Sequence, residues 1–363
     1  MVEINPWIIA GISGIAATIS FALYRGYVGI RMRQVRRRAG PAHHLRKGDV
    51  PTGTGIVIVL LLVVAGILAM AYLGEDPESR IGIYVCWAAA LVGMLGFVDD
   101  RAKVLRGSDG LKARFKLPVM IIVGLLFLYW TNTYFADLVT EYQMLSDTLP
   151  WPVENYAKWW LFYPVGLFVW LGALNGANFT DGLDGLLSCT TLVVLGGAFY
   201  ALLDGSEPLA LPAAVGFGTL VAFLAFNWKP ALIYMGDSGS LTVGALVAGL
   251  FIAKGWWLFL GLCAIVWVLE VASVMLQVAV FRTTGRRLFL MTPIHHHFEL
   301  AGWGERTTVV VFTLLQVLGC VTAFVWLRQG TTWGLAGTAL LLLVFAILLA
   351  LYHKRVATHA TPE

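Results

Sequence analysis

Charge is what this chain has least of. Of its 363 residues, 13% are Asp, Glu, Lys or Arg, while 59% are hydrophobic. Soluble domains carry about 25% charged and about 45–50% apolar residues. The shortfall excludes a water-soluble globular enzyme, and the apolar excess excludes intrinsic disorder. Cysteine is scarce as well. Cys86, Cys189, Cys263 and Cys320 all fall in apolar segments, with neither metal-site spacing nor the pattern of a disulfide framework. Internal repeats and low-complexity tracts are lacking. The opening stretch MVEINPW has no basic residue and no cleavage site follows it, so the first apolar segment is expected to stay as an anchor.

What the chain does have is apolar runs of membrane-spanning length. They are too long and too continuous for the short alternating strands of a transmembrane barrel. The pattern predicts an all-α, polytopic integral membrane protein of about 10–11 helices. The expected spans are 7–24, 55–73, 82–98, 117–136, 160–177, 185–203, 209–226, 238–253, 256–281, 307–327 and 333–352. The whole chain, 1–363, reads as one membrane domain. Many of the 14 tryptophans sit near span ends, as an aromatic belt requires.

Lysine and arginine orient it. With the N-terminus outside, segments 25–54, 99–116, 227–237, 282–306 and 353–363 lie inside and hold 8, 6, 1, 4 and 2 basic residues. That is 21 of the 25, and only Arg80, Lys158, Lys254 and Arg328 remain outside. The positive-inside rule therefore puts these loops in the cytoplasm. Among the eleven spans, Glu270 is the one charged residue in a span interior. Ion-coupled transporters usually carry several there. The acidic groups that look chemical lie instead in the inner loops and at the inner span ends. That location suits a water-soluble reactant meeting a lipid.

Five inner motifs stand out. Lys47 precedes Pro51-Thr-Gly53-Thr54-Gly55, where amides at a helix start and a cation can hold an anion, although taken alone the motif reads more readily as a plain helix-entry turn. Asp99-Asp100 closes the third span. Two adjacent carboxylates at a membrane boundary persist when a divalent cation or a basic partner neutralises them, and Mg²⁺ prefers such oxygens together with substrate phosphates. Lys103 and Lys116 follow closely. The stretch Asn175-Gly-Ala-Asn178-Phe-Thr-Asp181-Gly-Leu-Asp184 puts amides and carboxylates between two apolar spans, where they are costly to bury unpaired. Asn227 to Ser240, containing Tyr234-Met-Gly-Asp237-Ser-Gly-Ser240, suits a helix cap and equally a metal–phosphate site. His295-His296-His297 follows Arg282, Arg286 and Arg287. Three consecutive histidines on a helix point in different directions, which suits acid/base or phosphate-binding roles better than zinc. Together these residues point to phosphoryl transfer to or from a membrane lipid.

The five motifs resemble those of the polyprenyl-phosphate hexose-1-phosphate transferase superfamily. The run Gly285 to Trp303, with its His-His-His-Phe-Glu core, resembles the corresponding loop of the phospho-N-acetylmuramoyl-pentapeptide transferases. The resemblance covers about 40–327. It implies transfer of phospho-MurNAc-pentapeptide from UDP-MurNAc-pentapeptide to undecaprenyl phosphate, giving lipid I and UMP for peptidoglycan synthesis, with Mg²⁺ as cofactor. It also implies a bacterial inner membrane location, with the active site facing the cytoplasm. The expected partners are these two substrates and the bilayer, with a homodimer as the assembly and no nucleic acid.

Carried over residue by residue, the resemblance makes Asp237 the metal ligand and Asp99 the base for the lipid phosphate, with Asp100 supporting them. Lys103 and Lys116 hold phosphates. Lys47, Asn178, Asp181, Asp184, Asn227 and Tyr234 line the uridine pocket. His295 and His296 close the site, His295 as a catalytic group. Two departures are visible. The family's Thr-Pro-Thr-Met-Gly-Gly reads Val50-Pro-Thr-Gly-Thr-Gly55 here, and the family's ten spans become eleven with 333–352. Two other readings remain: a sister enzyme moving another N-acetylhexosamine-1-phosphate, and a non-enzymatic transporter.

Overall fold

The computed structural model describes residues 5–29, 31–32, 50–72, 77–106, 110–138, 159–202, 207–329 and 331–359. Every regular element among them is helical. The helices are α1 (Pro6–Leu23), α2 (Ile56–Tyr72), α3 (Pro77–Arg106), α4 (Ala113–Leu138), α5 (Trp159–Thr180), α6 (Leu186–Leu202) and α7 (Glu207–Asn227). They continue with α8 (Gly236–Ala253), α9 (Trp257–Cys263), α10 (Ile265–Thr284), α11 (Ile294–Leu300), α12 (Glu305–Gln329) and α13 (Thr331–His359). Lipid offers no hydrogen bonds, so a spanning segment must satisfy its backbone internally, and these apolar runs do so as helices. Among the described residues, eight helices are long and apolar enough to cross a membrane. Three shorter apolar ones, Ile56–Ala71, Leu186–Leu202 and Thr332–Ile347, accompany them. All eleven expected spans thus have a helix. Lys47 lies outside the described residues, as does the outer stretch around Pro150-Trp151-Pro152, whose sequence reads as an interfacial segment.

Local signals set the helix ends. At α1, Pro6 takes the first turn and the Asn5 side chain accepts the Trp7 N–H at 2.9 Å. The expected ninth span, 256–281, departs from a single helix. It breaks at Ala264, whose backbone (φ −109°, ψ 36°) ends α9 and starts α10. The groups freed by the break are taken up by Gln316 of α12, which is fully buried. Its Oε1 accepts the Val266 N–H at 3.0 Å and its Nε2 donates to the Cys263 carbonyl.

α8 is the axis of the bundle. Every residue from Asp237 to Ala253 is buried, and α3 and α5 pack along it. Close approach of α3 depends on absent side chains. A Cβ on Gly96 would stand 2.3 Å from the Asp237 carbonyl oxygen. One turn further along α3 come Asp99 and Asp100, so this contact delivers them to the amino end of α8. A second apolar cluster joins Leu183, Leu186, Ile294, Phe298, Phe312 and Leu315, and seats the short α11 against α6 and α12.

Candidate active site

Three carboxylates meet at the junction of α3 and α8. Asp99 and Asp100 end the apolar part of α3, Asp237 lies in the first turn of α8, and all three are buried. Their ligand atoms lie within 4.8 Å of one another, close enough to hold one metal ion. Two half-buried lysines enter the same space. Lys103 Nζ lies 2.7 Å from Asp99 Oδ2 and 2.7 Å from Asp237 Oδ1. Lys116 Nζ lies 3.0 Å from Asp237 Oδ2 and 3.3 Å from Asp99 Oδ2. Three carboxylates against two ammonium groups leave one net negative charge. Such a cluster can take a divalent cation, and its lysines can turn to phosphate oxygens without leaving buried charge unpaired.

Asp99 and Asp100 differ in their commitments. Asp99 Oδ1 also accepts the Leu111 N–H at 2.6 Å, which ties the chain after α3 back to the site. Both Asp100 oxygens face the start of α8, where Oδ1 accepts the Asp237 N–H and Oδ2 the Ser238 N–H, each at 2.9 Å. Met235, the residue at the cap position, makes no side-chain cap bond. A carboxylate from a different helix therefore supplies the cap, and it sits at the positive end of the helix dipole. Gly236 makes room for it, since a Cβ there would stand 2.4 Å from Asp100 Oδ2.

The other motifs converge around this junction. The first meets the fourth through the backbone: Tyr234 N–H donates to the Pro51 carbonyl at 2.7 Å, and Thr54 Oγ1 donates to the Tyr234 carbonyl at 2.8 Å. Asn178 Nδ2 donates to Ser240 Oγ at 2.9 Å, one turn along α8 from Asp237. Asp181 begins the turn after α5, its N–H bonded to the Ala177 carbonyl at 3.2 Å. Asp184 and Asn227 are buried and engaged with backbone. Asp184 Oδ2 accepts the Ala231 N–H at 3.2 Å. Asn227 accepts the Gly185 N–H at 3.0 Å and donates to the Ile233 carbonyl at 3.0 Å. Both brace the wall formed by the α5–α6 and α7–α8 connections.

The three histidines of α11 do point three ways. His295 reaches Glu270 of α10, Nδ1 to Oε2 at 3.1 Å. His296 pairs with Glu299 at 2.7 Å within its own helix, and His297 Nδ1 accepts the Leu290 N–H at 3.0 Å. Glu305 was not among the sequence candidates, yet it joins the wall. It accepts the Asp184 N–H at 3.0 Å and pairs with Lys229. Its position in the first turn of α12, just after Gly302 and Gly304, was the available signal.

Known proteins share this sequence over most of its length. The glycosyl transferase family 4 pattern matches residues 82–255, which include Asp99, Asp100 and Asp237. The phospho-N-acetylmuramoyl-pentapeptide-transferase of Carboxydothermus hydrogenoformans is 37% identical over 295 residues, 80% of this chain and 88% of that one. The chain belongs to the phospho-N-acetylmuramoyl-pentapeptide-transferase family. The family enzyme of Desulforamulus reducens is 36% identical over 334 residues, covering 89% of this chain and 98% of the relative. That of Bacillus subtilis is 34% identical over 305 residues, 82% of this chain and 91% of the relative. The match to the Desulforamulus reducens enzyme covers so much of this chain that it runs well beyond the carboxylate site and takes in the α11 histidines.

Proposed function

We propose that this chain, acting as one transmembrane domain, transfers phospho-MurNAc-pentapeptide from UDP-MurNAc-pentapeptide to undecaprenyl phosphate, releasing UMP and forming lipid I. The supporting observation is the meeting of Asp237 with Asp99, Lys103 and Lys116 at one buried junction, in a chain of this family. The Lys and Arg asymmetry orients the junction toward the cytoplasm of a bacterial inner membrane, where the nucleotide donor is found.

The donor set suits Mg²⁺, a hard cation that takes carboxylate oxygens beside substrate phosphates. Asp237 would hold it, and bound there it would neutralise charge on the diphosphate. The lysines exchange carboxylate for phosphate oxygens as the donor arrives. That exchange releases Asp99 Oδ2 to take the proton of the lipid phosphate. The lipid phosphate oxygen then attacks the sugar-linked phosphorus, and the bond to the UMP oxygen breaks with its electron pair leaving on UMP. Phosphoryl transfer of this kind is mostly positioning and charge stabilisation. Asp100 holds Asp237 in place through the cap. Asn178, Asp181, Asp184, Asn227 and Tyr234 form the nucleoside wall, with His295 and His296 closing over it, and the family resemblance adds Lys47 as a uridine-pocket residue.

The deciding experiment offers the purified full-length chain undecaprenyl phosphate and either UDP-MurNAc-pentapeptide or UDP-GlcNAc, with Mg²⁺. Transfer from the first donor alone is expected. A site built for the lactyl-peptide arm leaves polar groups unpaired with a donor lacking it. Equal use of both donors would move the chain to the sister activity, and transfer from neither would end the enzymatic reading.

A further inference from the structure

Glu270 is fully buried in α10, in the middle of an apolar span. A carboxylate there is expensive, and one that persists usually serves a partner. Its partner is His295. Besides the 3.1 Å approach of Oε2 to Nδ1, Oε2 faces the His295 backbone N–H at 3.4 Å. Neither side chain is saturated. Glu270 Oε1 and both ring nitrogens of His295 lack an aligned hydrogen bond, although His295 is 1% exposed. Buried polar atoms are rarely left this way without a purpose.

The far edge of the ring explains what the arrangement serves. A Cβ on Gly182 would stand 2.2 Å from His295 Nε2, so the ring tip rests on the one residue of the Asp181–Asp184 turn that has no side chain. Glu270, His295 and Gly182 thus form a line from α10, through α11, to the nucleoside wall. His296 lies against Glu299 and the His295 ring, and His297 against the Leu290 N–H and the rings of Phe289 and Phe298.

We propose that Glu270 is a positioning residue for the transfer reaction. It holds the proton of the His295 ring on Nδ1 and so presents Nε2, as a hydrogen-bond acceptor, at the Asp181–Asp184 turn. A carboxylate beside one ring nitrogen sets the tautomer and orientation of a working histidine in this way. The surrounding wall is rich in carboxylate and amide oxygen, which repels phosphate. The group that meets Nε2 is therefore a hydroxyl or N–H of the nucleotide-sugar rather than its diphosphate. The assignment rests on the transferase reading above.

Two measurements test it. The first compares kcat/KM of Glu270→Gln, His295→Ala and the double variant, with thermal unfolding in detergent as the control for folding. Glu270→Gln is expected to fold and to lose about 10- to 100-fold in kcat/KM, the range for removing a group that orients a working histidine. In the His295→Ala background the same change is expected to cost less than about twofold, because neighbours in one network are not additive. An equal loss in both backgrounds, or none in either, overturns the proposal.

The second measurement needs no turnover. In ¹⁵N-histidine-labelled protein, the His295 signal, identified by its loss in His295→Ala, is expected to show a protonated Nδ1 and an unprotonated Nε2, and to lose that bias in Glu270→Gln. An unchanged signal overturns the proposal. If the Gln variant does not fold, Glu270→Asp withdraws the carboxylate by one methylene and is read the same way. A wild-type chain that transfers nothing would end the transferase reading, while the ring signal would still decide the pairing.

Discussion

Asp100 accepts the backbone N–H of Asp237, and the two residues lie 137 positions apart in the chain. The carboxylate that closes the amino end of α8 therefore comes from α3, and the residue it fixes belongs to the same acidic group. Support and chemistry are divided between side chains whose ligand atoms lie within 4.8 Å.

That division predicts different outcomes at neighbouring positions. Asp100→Ala removes both acceptors of the Asp237 and Ser238 amides. It is expected to lower stability by about 1–2 kcal/mol, the range for a lost helix cap, and to reduce turnover by misplacing Asp237. Asp100→Asn keeps one acceptor and is expected to recover part of the stability. Thermal unfolding of both variants in the same detergent checks this; two melting temperatures equal to wild type would refute the capping role.

Asp237→Asn should leave the fold intact, since the amide fits the same volume, and should cost about 100-fold or more in turnover, as loss of a charge-stabilising group does. Removing divalent cations with a chelator should abolish wild-type transfer, and Mg²⁺ should restore it. Near-normal transfer by Asp237→Asn at saturating Mg²⁺ would sink the metal assignment.

The acidic residues of this site stood out in the sequence because they interrupt a background almost free of charge. Asp99, Asp100 and Asp237 sit where apolar runs stop, and burying such groups requires partners. Their division of labour was not visible, because it depends on which amides a carboxylate meets across 137 residues. Asp184 and Asn227 were legible as a polar cluster. That they clasp the Ala231, Gly185 and Ile233 backbone could be read only once α5–α6 and α7–α8 were side by side. The spans were legible from hydropathy alone. The break at Ala264 was not, since Cys263-Ala264-Ile265 contains neither proline nor glycine and its stabiliser lies in another helix.

Gln316 gives that break a measurable signature. Gln316→Leu leaves the Val266 N–H without its side-chain partner in an apolar setting, and leaves the Cys263 carbonyl with only the weak Cys320 Sγ donor at 3.3 Å. A loss of about 0.6–2 kcal/mol is expected, the scale of interhelical polar contacts in membranes. Detergent unfolding of Gln316→Leu against Gln316→Glu would check it, and a melting temperature at or above wild type in the leucine variant would remove Gln316 from that role.

The eleven spans expected from the sequence would place the chain ends on opposite faces, and with the basic loops inside the C-terminus is expected in the cytoplasm. A C-terminal reporter that is active only in the cytoplasm is the expected result. Periplasmic activity would mean that α12 and α13 together cross the membrane once.

The tight seam between α3 and α8 also has a consequence for biosynthesis. Asp99 and Asp100 leave the ribosome with α3, and α4, α5, α6 and α7 must all follow before the amino end of α8 exists to receive Asp100. Until then the close approach of Gly96 to the Asp237 carbonyl cannot form. A nascent chain arrested before residue 236 would hold every residue of α3 and still lack the junction, so the acidic cluster comes into being as a late product of helix assembly.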